Sequence, residues 1–241
     1  MEGFVDIHSH ILPGVDDGAV NMEQALDMIE MAYQDGSAAM VLTPHHRGPY
    51  RDRTPEQLRA VFDELRQQTA QRCPRMELYL GSEAAWEWEL PEQLCNEEVL
   101  TMGGTDYVLL EFRPSASRSR VINGVLEVLN SGFVPIIAHV ELCDCFYKDP
   151  ALVSELIGYG AKVQLDADSI MGRHGRRVKG FCHRMLKHGQ VHFVASDAHD
   201  CTERPPLLGE CFRRVCKKYG QERAAELFWA NARAVLADES I

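Results

Sequence analysis

Histidines and carboxylates fall where short apolar runs end, and the pattern repeats along the chain. Run 4–7 leads into His8 and His10, an H-x-H pair whose alternate residues point to one side of an extended chain. Run 38–42 leads to Thr43-Pro44-His45-His46, and run 77–80 to Gly81-Ser82-Glu83. Glu111 follows run 107–110, and His139 follows run 134–138. Run 191–195 opens into Ser196-Asp197-Ala198-His199, a D-x-H pair. Imidazole and carboxylate together suit borderline or hard divalent ions such as Zn²⁺, Mn²⁺ or Fe²⁺, not the soft thiolate-preferring ones. One H-x-H pair carries little weight, because alternating histidines occur in strands by chance. Repetition at the end of run after run is much harder to explain as a set of unrelated, locally satisfied polar residues.

The elements that must position these residues are legible in outline. Seven apolar runs (4–7, 38–42, 77–80, 107–110, 134–138, 162–165 and 191–195) have the length of buried parallel strands. Between them lie amphipathic stretches with helix signals. Met22, Ala25, Leu26, Ile29 and Ala32 recur at helical spacing, with Gly36 where the helix should end. Thr54-Pro55-Glu56-Gln57 reads as an N-cap, a proline in the first turn and a capping-box glutamine. Asp149-Pro150 opens another helix and Gly160 closes it. This alternation predicts an α/β fold, a parallel barrel or a distorted relative of one, over an open doubly wound sheet. In such a barrel the strand ends meet on one face, where active sites are built. With no linker, composition shift or internal repeat, one domain over 1–241 is expected.

Composition narrows the function. The 241 residues are 45% hydrophobic and 25% charged, enough for a sizeable core. A net charge of −11 argues against nucleic acid or an anionic membrane surface as partner, since both call for basic patches. It leaves anionic substrates open, because bound metal ions reverse the local sign. No stretch approaches the ~20 apolar residues of a membrane span, and Met1-Glu2 begins no basic leader. The eight cysteines have no compact disulfide spacing. A cytoplasmic protein with reduced thiols, not inserted in a membrane, is the expectation. None of the cysteines has an arginine six residues on, which excludes a cysteine-nucleophile phosphatase built on Cys-x5-Arg.

The thirteen residues from Asp6 to Gly18, DIHSHILPGVDDG, resemble the opening signature of the bacterial manganese-dependent tyrosine phosphatases of the capsule and exopolysaccharide type, in the polymerase and histidinol phosphatase (PHP) superfamily. The likeness continues through Thr43-Pro44-His45-His46-Arg47-Gly48, Leu110-Glu111-Phe112, Ile137-Ala138-His139-Val140-Glu141, Ala195-Ser196-Asp197-Ala198-His199 and Arg204-Pro205-Pro206. It implies a distorted seven-unit (β/α) TIM-like barrel of the PHP type holding three divalent ions, Mn²⁺ first, with Fe, Zn or Co as alternatives. By the resemblance, His8, His10, Glu83 and Asp197 hold the first ion, and Asp17, His45 and His199 the second. Glu83 bridges to a third ion that also takes Glu111 and His139. Spacing alone permits His45 or His46 as the ligand; the family register favours His45. Asp16 reads as structural.

What the resemblance implies about activity is phosphotyrosine hydrolysis by a metal-activated hydroxide. His45, Asp197, His199 and Arg204 would be catalytic, and Arg204, Arg113 and Arg47 would hold substrate. The partner implied is a tyrosine-phosphorylated protein, the tail of an autophosphorylating tyrosine kinase of capsule or exopolysaccharide synthesis. One departure stands out: the family commonly has an arginine where His139-Val140-Glu141-Leu142 places Leu142. Alternative functions are histidinol-phosphate hydrolysis by the same metals and a catalytically weak metal-binding regulator. An amidohydrolase also begins with H-x-H, but normally carries a lysine or paired histidines where this chain has Glu83 and Glu111. Cys143 and Cys145 suggest zinc only weakly, having no second pair. Trp86 and Trp88 read first as packing residues, and His174, His183, His188 and His192 as ordinary surface or helix histidines.

Overall fold

The computed structural model describes residues 3–46, 48–50 and 52–241. The described residues form nine strands: β1 (Phe4–Ser9), β2 (Ser37–Leu42), β3 (His45–His46), β4 (Glu77–Leu80), β5 (Glu83–Ala85), β6 (Tyr107–Glu111), β7 (Val134–Ile137), β8 (Lys162–Asp166) and β9 (Phe193–Ala195). Their pairings are parallel, in the orders β1-β2-β4 and β3-β5-β6-β7-β8-β9. The two sheets share one path. Pro44, which has no N–H to give a ladder, separates β2 from β3, yet its carbonyl accepts the Glu83 N–H at 3.1 Å. Gly81 N–H reaches the Leu42 carbonyl at 2.9 Å, so register carries across the gap. A parallel bridge between Ser9 and Ala198 sets the first strand beside the chain that leaves the last. The sheet is therefore curled rather than open.

Alternation along the strands builds two apolar layers. Ala39 and Val41 join Val5, Ile7, Leu109 and Ile136 in one cluster, against which Ala232 and Val235 of the helix Asn231–Leu236 pack. Met40 and Leu42 face the other way, into a cluster with Leu26 and Ile29 of the helix Met22–Asp35 and Phe62 and Leu65 of Pro55–Arg72. β6 is buried at every residue, as a parallel strand covered on both faces must be.

The helix signals act as their chemistry dictates. The Asn21 side chain accepts the Gln24 N–H, and Gly36 ends the same helix at φ 107°, a conformation that disfavours a Cβ. Thr54 and Gln57 form both bonds of the capping box. Short helices at Leu90–Cys95, Asp144–Lys148 and Ala167–Met171 interrupt the expected alternation. One or two turns hold too few apolar repeats to announce themselves in sequence. Among the described residues, no helix is long and apolar enough to cross a membrane.

Candidate metal centre

The strand ends bring nine side chains into overlapping groups whose ligand atoms lie within 4.8 Å of one another: His8, His10 and Asp197; His10, Asp17, His45 and His199; His8, Glu83 and His139; His45, Glu83 and Glu111. Register explains part of this convergence. His45 pairs with Glu83 across β3–β5, and Ala85 pairs with Glu111 across β5–β6, which sets three of these side chains along one rim. Glu83 lies at the middle. Its Oε1 is 2.7 Å from His139 Nε2 and 3.5 Å from His8 Nε2, and its Oε2 is 2.6 Å from His45 Nδ1 and 3.5 Å from His10 Nε2. Of the adjacent pair His45 and His46, only His45 belongs to these groups.

The polarity of the first pair is forced by its surroundings. His10 Nδ1 lies 2.7 Å from Asp16 Oδ2, and His8 Nδ1 lies 3.3 Å from Gln164 Oε1. Each Nδ1 therefore carries a proton, so that in the neutral form of each ring the Nε2 lone pair faces inward, the two atoms 3.2 Å apart. Asp197 Oδ1 stands 3.3 Å from each of them. Acceptors converging on acceptors call for a cation, so the donor set fits divalent metal ions.

Without a metal, protons stand in for the cation at part of the site. Burial opposes charge on His10, but its contacts with Asp16 and Asp197 outweigh that and lift it to about 9. Burial also works against ionising Glu83, yet the charge of His8 and the bonds from His139 and His45 hold it well below the ordinary carboxylate range. His199 goes the other way, to about 4, through burial and then the charge of His10. Without a metal, the carboxylates stabilise a protonated His10 where a cation would otherwise sit.

Asp16, read from sequence as structural, has a directed role. Its Oδ2 accepts both His10 Nδ1–H and, at 3.1 Å, the His45 backbone N–H, while Oδ1 accepts from Gly18. Gly18 fits because its chain passes directly over His10: a Cβ there would lie 1.8 Å from the His10 carbonyl oxygen. Two of the nine residues sit in the left-handed backbone region, His139 at φ 28° and Asp197 at φ 52°. Such conformations cost on the order of 1–3 kcal/mol and persist where surrounding contacts impose them.

A cavity of about 200 Å³ opens over this cluster, lined by Phe112, Pro114, Leu142 and Arg204 beside the charged groups. Arg204 donates from Nη2 to Asp197 Oδ2 and keeps 43% of its side chain exposed at the mouth. Arg113 does not line the cavity; its exposed side chain pairs with Glu87 at 3.2 Å. Arg47 lies outside the described residues. Trp86 is buried, whereas Trp88 is 61% exposed, the two rings meeting edge-on at 5.7 Å. The thiols of Cys143 and Cys145 lie 3.4 Å apart, and no metal-holding group among the described residues includes them.

Other polar residues play parts that sequence reading did not assign. His192 is no ordinary surface histidine: its Nδ1 accepts the Val163 N–H at 3.1 Å, filling a place between β8 and the approach to β9. Gln164 and Asp166, at the end of β8, are buried beneath the centre, tied to each other at 2.8 Å. The signal for them was available. A glutamine inside an apolar run, and an acid ending it, are costly to bury without a partner.

A sequence profile of the family described as capsular polysaccharide synthesis, CpsB/CapC, matches residues 4–237. The chain belongs to the CpsB/CapC family. Tyrosine-protein phosphatase CpsB of Streptococcus agalactiae is 30% identical over 243 residues, spanning 98% of this chain and 100% of that protein. Tyrosine-protein phosphatase YwqE of Bacillus subtilis is 29% identical over 238 residues, spanning 98% and 93%. Crystal structures described as those of YwqE from Bacillus subtilis and CpsB from Streptococcus pneumoniae, unique metal-dependent tyrosine phosphatases, include one that superposes with a TM-score of 0.92 at 29% identity, over 98% of this chain and 96% of the other. The CpsB/CapC fold extends to more distant proteins. A dihydropyrimidinase from Brevibacillus agri superposes with a TM-score of 0.64 at 10% identity, a likeness of fold alone.

Proposed function

We propose that this member of the CpsB/CapC family is a metal-dependent protein-tyrosine phosphatase acting on a tyrosine-phosphorylated protein of capsule or exopolysaccharide synthesis. The observation that carries the reading is the convergence of His8, His10, Asp17, His45, Glu83, Glu111, His139, Asp197 and His199 on one face, their ligand atoms in groups within 4.8 Å. These nine are proposed as ligands of three divalent ions, Mn²⁺ first, within a seven-unit barrel closed at the Ser9–Ala198 bridge. Divalent ions supply, when bound, neutralisation of phosphate oxygens and a lowered pKa for attacking water, from ~15.7 towards ~7.

The protein's own groups do the rest. Arg204, held by Asp197 at the mouth, presents a planar donor fork that matches the non-bridging oxygens of a phosphate. Phe112, Pro114 and Leu142 give the wall an apolar part that suits an aromatic ring. Leu142 contributes no charge where relatives of the type commonly carry arginine, so phosphate binding rests more heavily on Arg204. The protein partner proposed is the tail of an autophosphorylating tyrosine kinase, and the compartment the cytoplasm.

The test is turnover by metal-stripped protein of a phosphotyrosine peptide, a phosphoserine peptide and histidinol phosphate, each with and without Mn²⁺. Mn²⁺-restored hydrolysis of phosphotyrosine is expected. Preference for histidinol phosphate would move the reading to that reaction, and bound metal without turnover would favour a regulator.

A further inference from the structure

Beneath the candidate centre, Gln164 of β8 touches two of the proposed ligands at once. Its Oε1 accepts the His139 backbone N–H at 2.9 Å and faces His8 Nδ1 at 3.3 Å, while its Nε2 donates to Asp166 Oδ1 at 2.8 Å. The side chain is fully buried. A backbone N–H can only donate, so the atom it meets must be the amide oxygen. Facing that oxygen, His8 Nδ1 must in turn be the donor. The amide orientation is held from the other end by Asp166, whose own N–H is anchored to Glu141 Oε1 at 2.9 Å.

We infer that Gln164 is a positioning residue for the metal centre, acting through His8 and His139. It sets the His8 tautomer so that Nε2 keeps its lone pair for a metal, and it holds the His139 backbone in its φ 28° conformation. Asp16 gives His10 the corresponding support, so the two rings of the H-x-H pair are steered by partners of different kinds, one charged and one neutral. The neutral partner suits its place, since a carboxylate at 164 would face Asp166 in a dry interior. The inference rests on the metal-centre reading.

The test measures Mn²⁺ affinity and stoichiometry of the full chain by equilibrium dialysis, alongside thermal melts. Gln164→Leu is expected to weaken Mn²⁺ binding at the positions that take His8 and His139 by about 10- to 100-fold. Gln164→Asn, which draws the amide back by one methylene, should show a smaller loss of the same kind and serves if the leucine variant does not fold. The exchange Gln164→Glu with Asp166→Asn restores an acceptor towards His8 and a donor behind it, and should recover most of the affinity. In a His8→Ala background, Gln164→Leu should cost much less. A merely structural role would lower the melting temperature of the Gln164 variants and leave the affinity of the folded protein unchanged; that result overturns the inference. Wild-type protein that binds no Mn²⁺ overturns the metal-centre reading and the inference with it.

Discussion

The Nε2 atoms of His8 and His10 stand 3.2 Å apart, each ring already committed through Nδ1 to an acceptor behind it. Two neutral imidazoles so placed repel, and protonating either sets a cation among groups that a metal would otherwise bridge. Adding Mn²⁺ to stripped protein should therefore stabilise the fold. At a free concentration of ~100 times the dissociation constant, linkage gives about 2.7 kcal/mol per site. For a chain of this length that is a rise in melting temperature of roughly 5–10 °C. The His8→Ala, His10→Ala double variant should lose most of the rise, as differential scanning calorimetry would show. An unshifted wild-type melt would count against the centre.

Arg204 is tied to Asp197 and half exposed at the mouth of the cavity. Replacing it with alanine should lower kcat/KM for a phosphotyrosine peptide by ~10- to 100-fold, the range of one to two charge-assisted hydrogen bonds. Leu142 lines the same cavity, so Leu142→Arg should lower KM several-fold. Steady-state kinetics on both variants decide whether phosphate binding rests on Arg204 as proposed.

Gly18 leaves no room for a side chain, since a Cβ would meet the His10 carbonyl oxygen at 1.8 Å. Gly18→Ala should cost at least ~1–3 kcal/mol by overpacking. Because the loop that must yield carries Asp16 and Asp17, Mn²⁺ affinity should fall with stability. Ordinary Mn²⁺ binding in a folded Gly18→Ala variant would refute this account of the motif.

His192 offers a pH test away from the centre. Burial, then the charges of Lys162 and Arg223, press it down to about 4, and its neutral Nδ1 accepts the Val163 N–H. The folded value lies below the ~6.5 of an unfolded chain. The contribution is thus complete above pH ~6.5 and is lost as pH falls towards 4, because only the unfolded state takes up the proton. The loss should be about 2 kcal/mol. Urea unfolding at pH 7 and pH 4.5 should show a smaller drop for His192→Gln than for wild type.

Much of the centre was legible before the structure. Ligand-type residues at the ends of apolar runs follow from strand alternation, and the capping signals at Thr54 and Gly36 act locally, so sequence and structure agree there. Less legible were the features that depend on what another segment contributes. The short strands β3 and β5 extend β2 and β4 beyond a proline and a glycine that read as ends. Arg113 closely follows the end of β6 in sequence, yet its exposed side chain pairs with Glu87 and does not line the cavity.

By itself the sequence determined which residue types stand at strand ends, and hence that hard or borderline divalent ions suit the chain; strand period and capping chemistry are properties of neighbouring residues. The tertiary structure alone decided how those residues share the space. Glu83 reaches four histidines because three strands deliver them to one point. Gln164 lies 156 residues from His8 and 25 from His139, yet bonds to both. Hydrogen bonds across such separations are made by the curl of the sheet, and no local pattern encodes their partners.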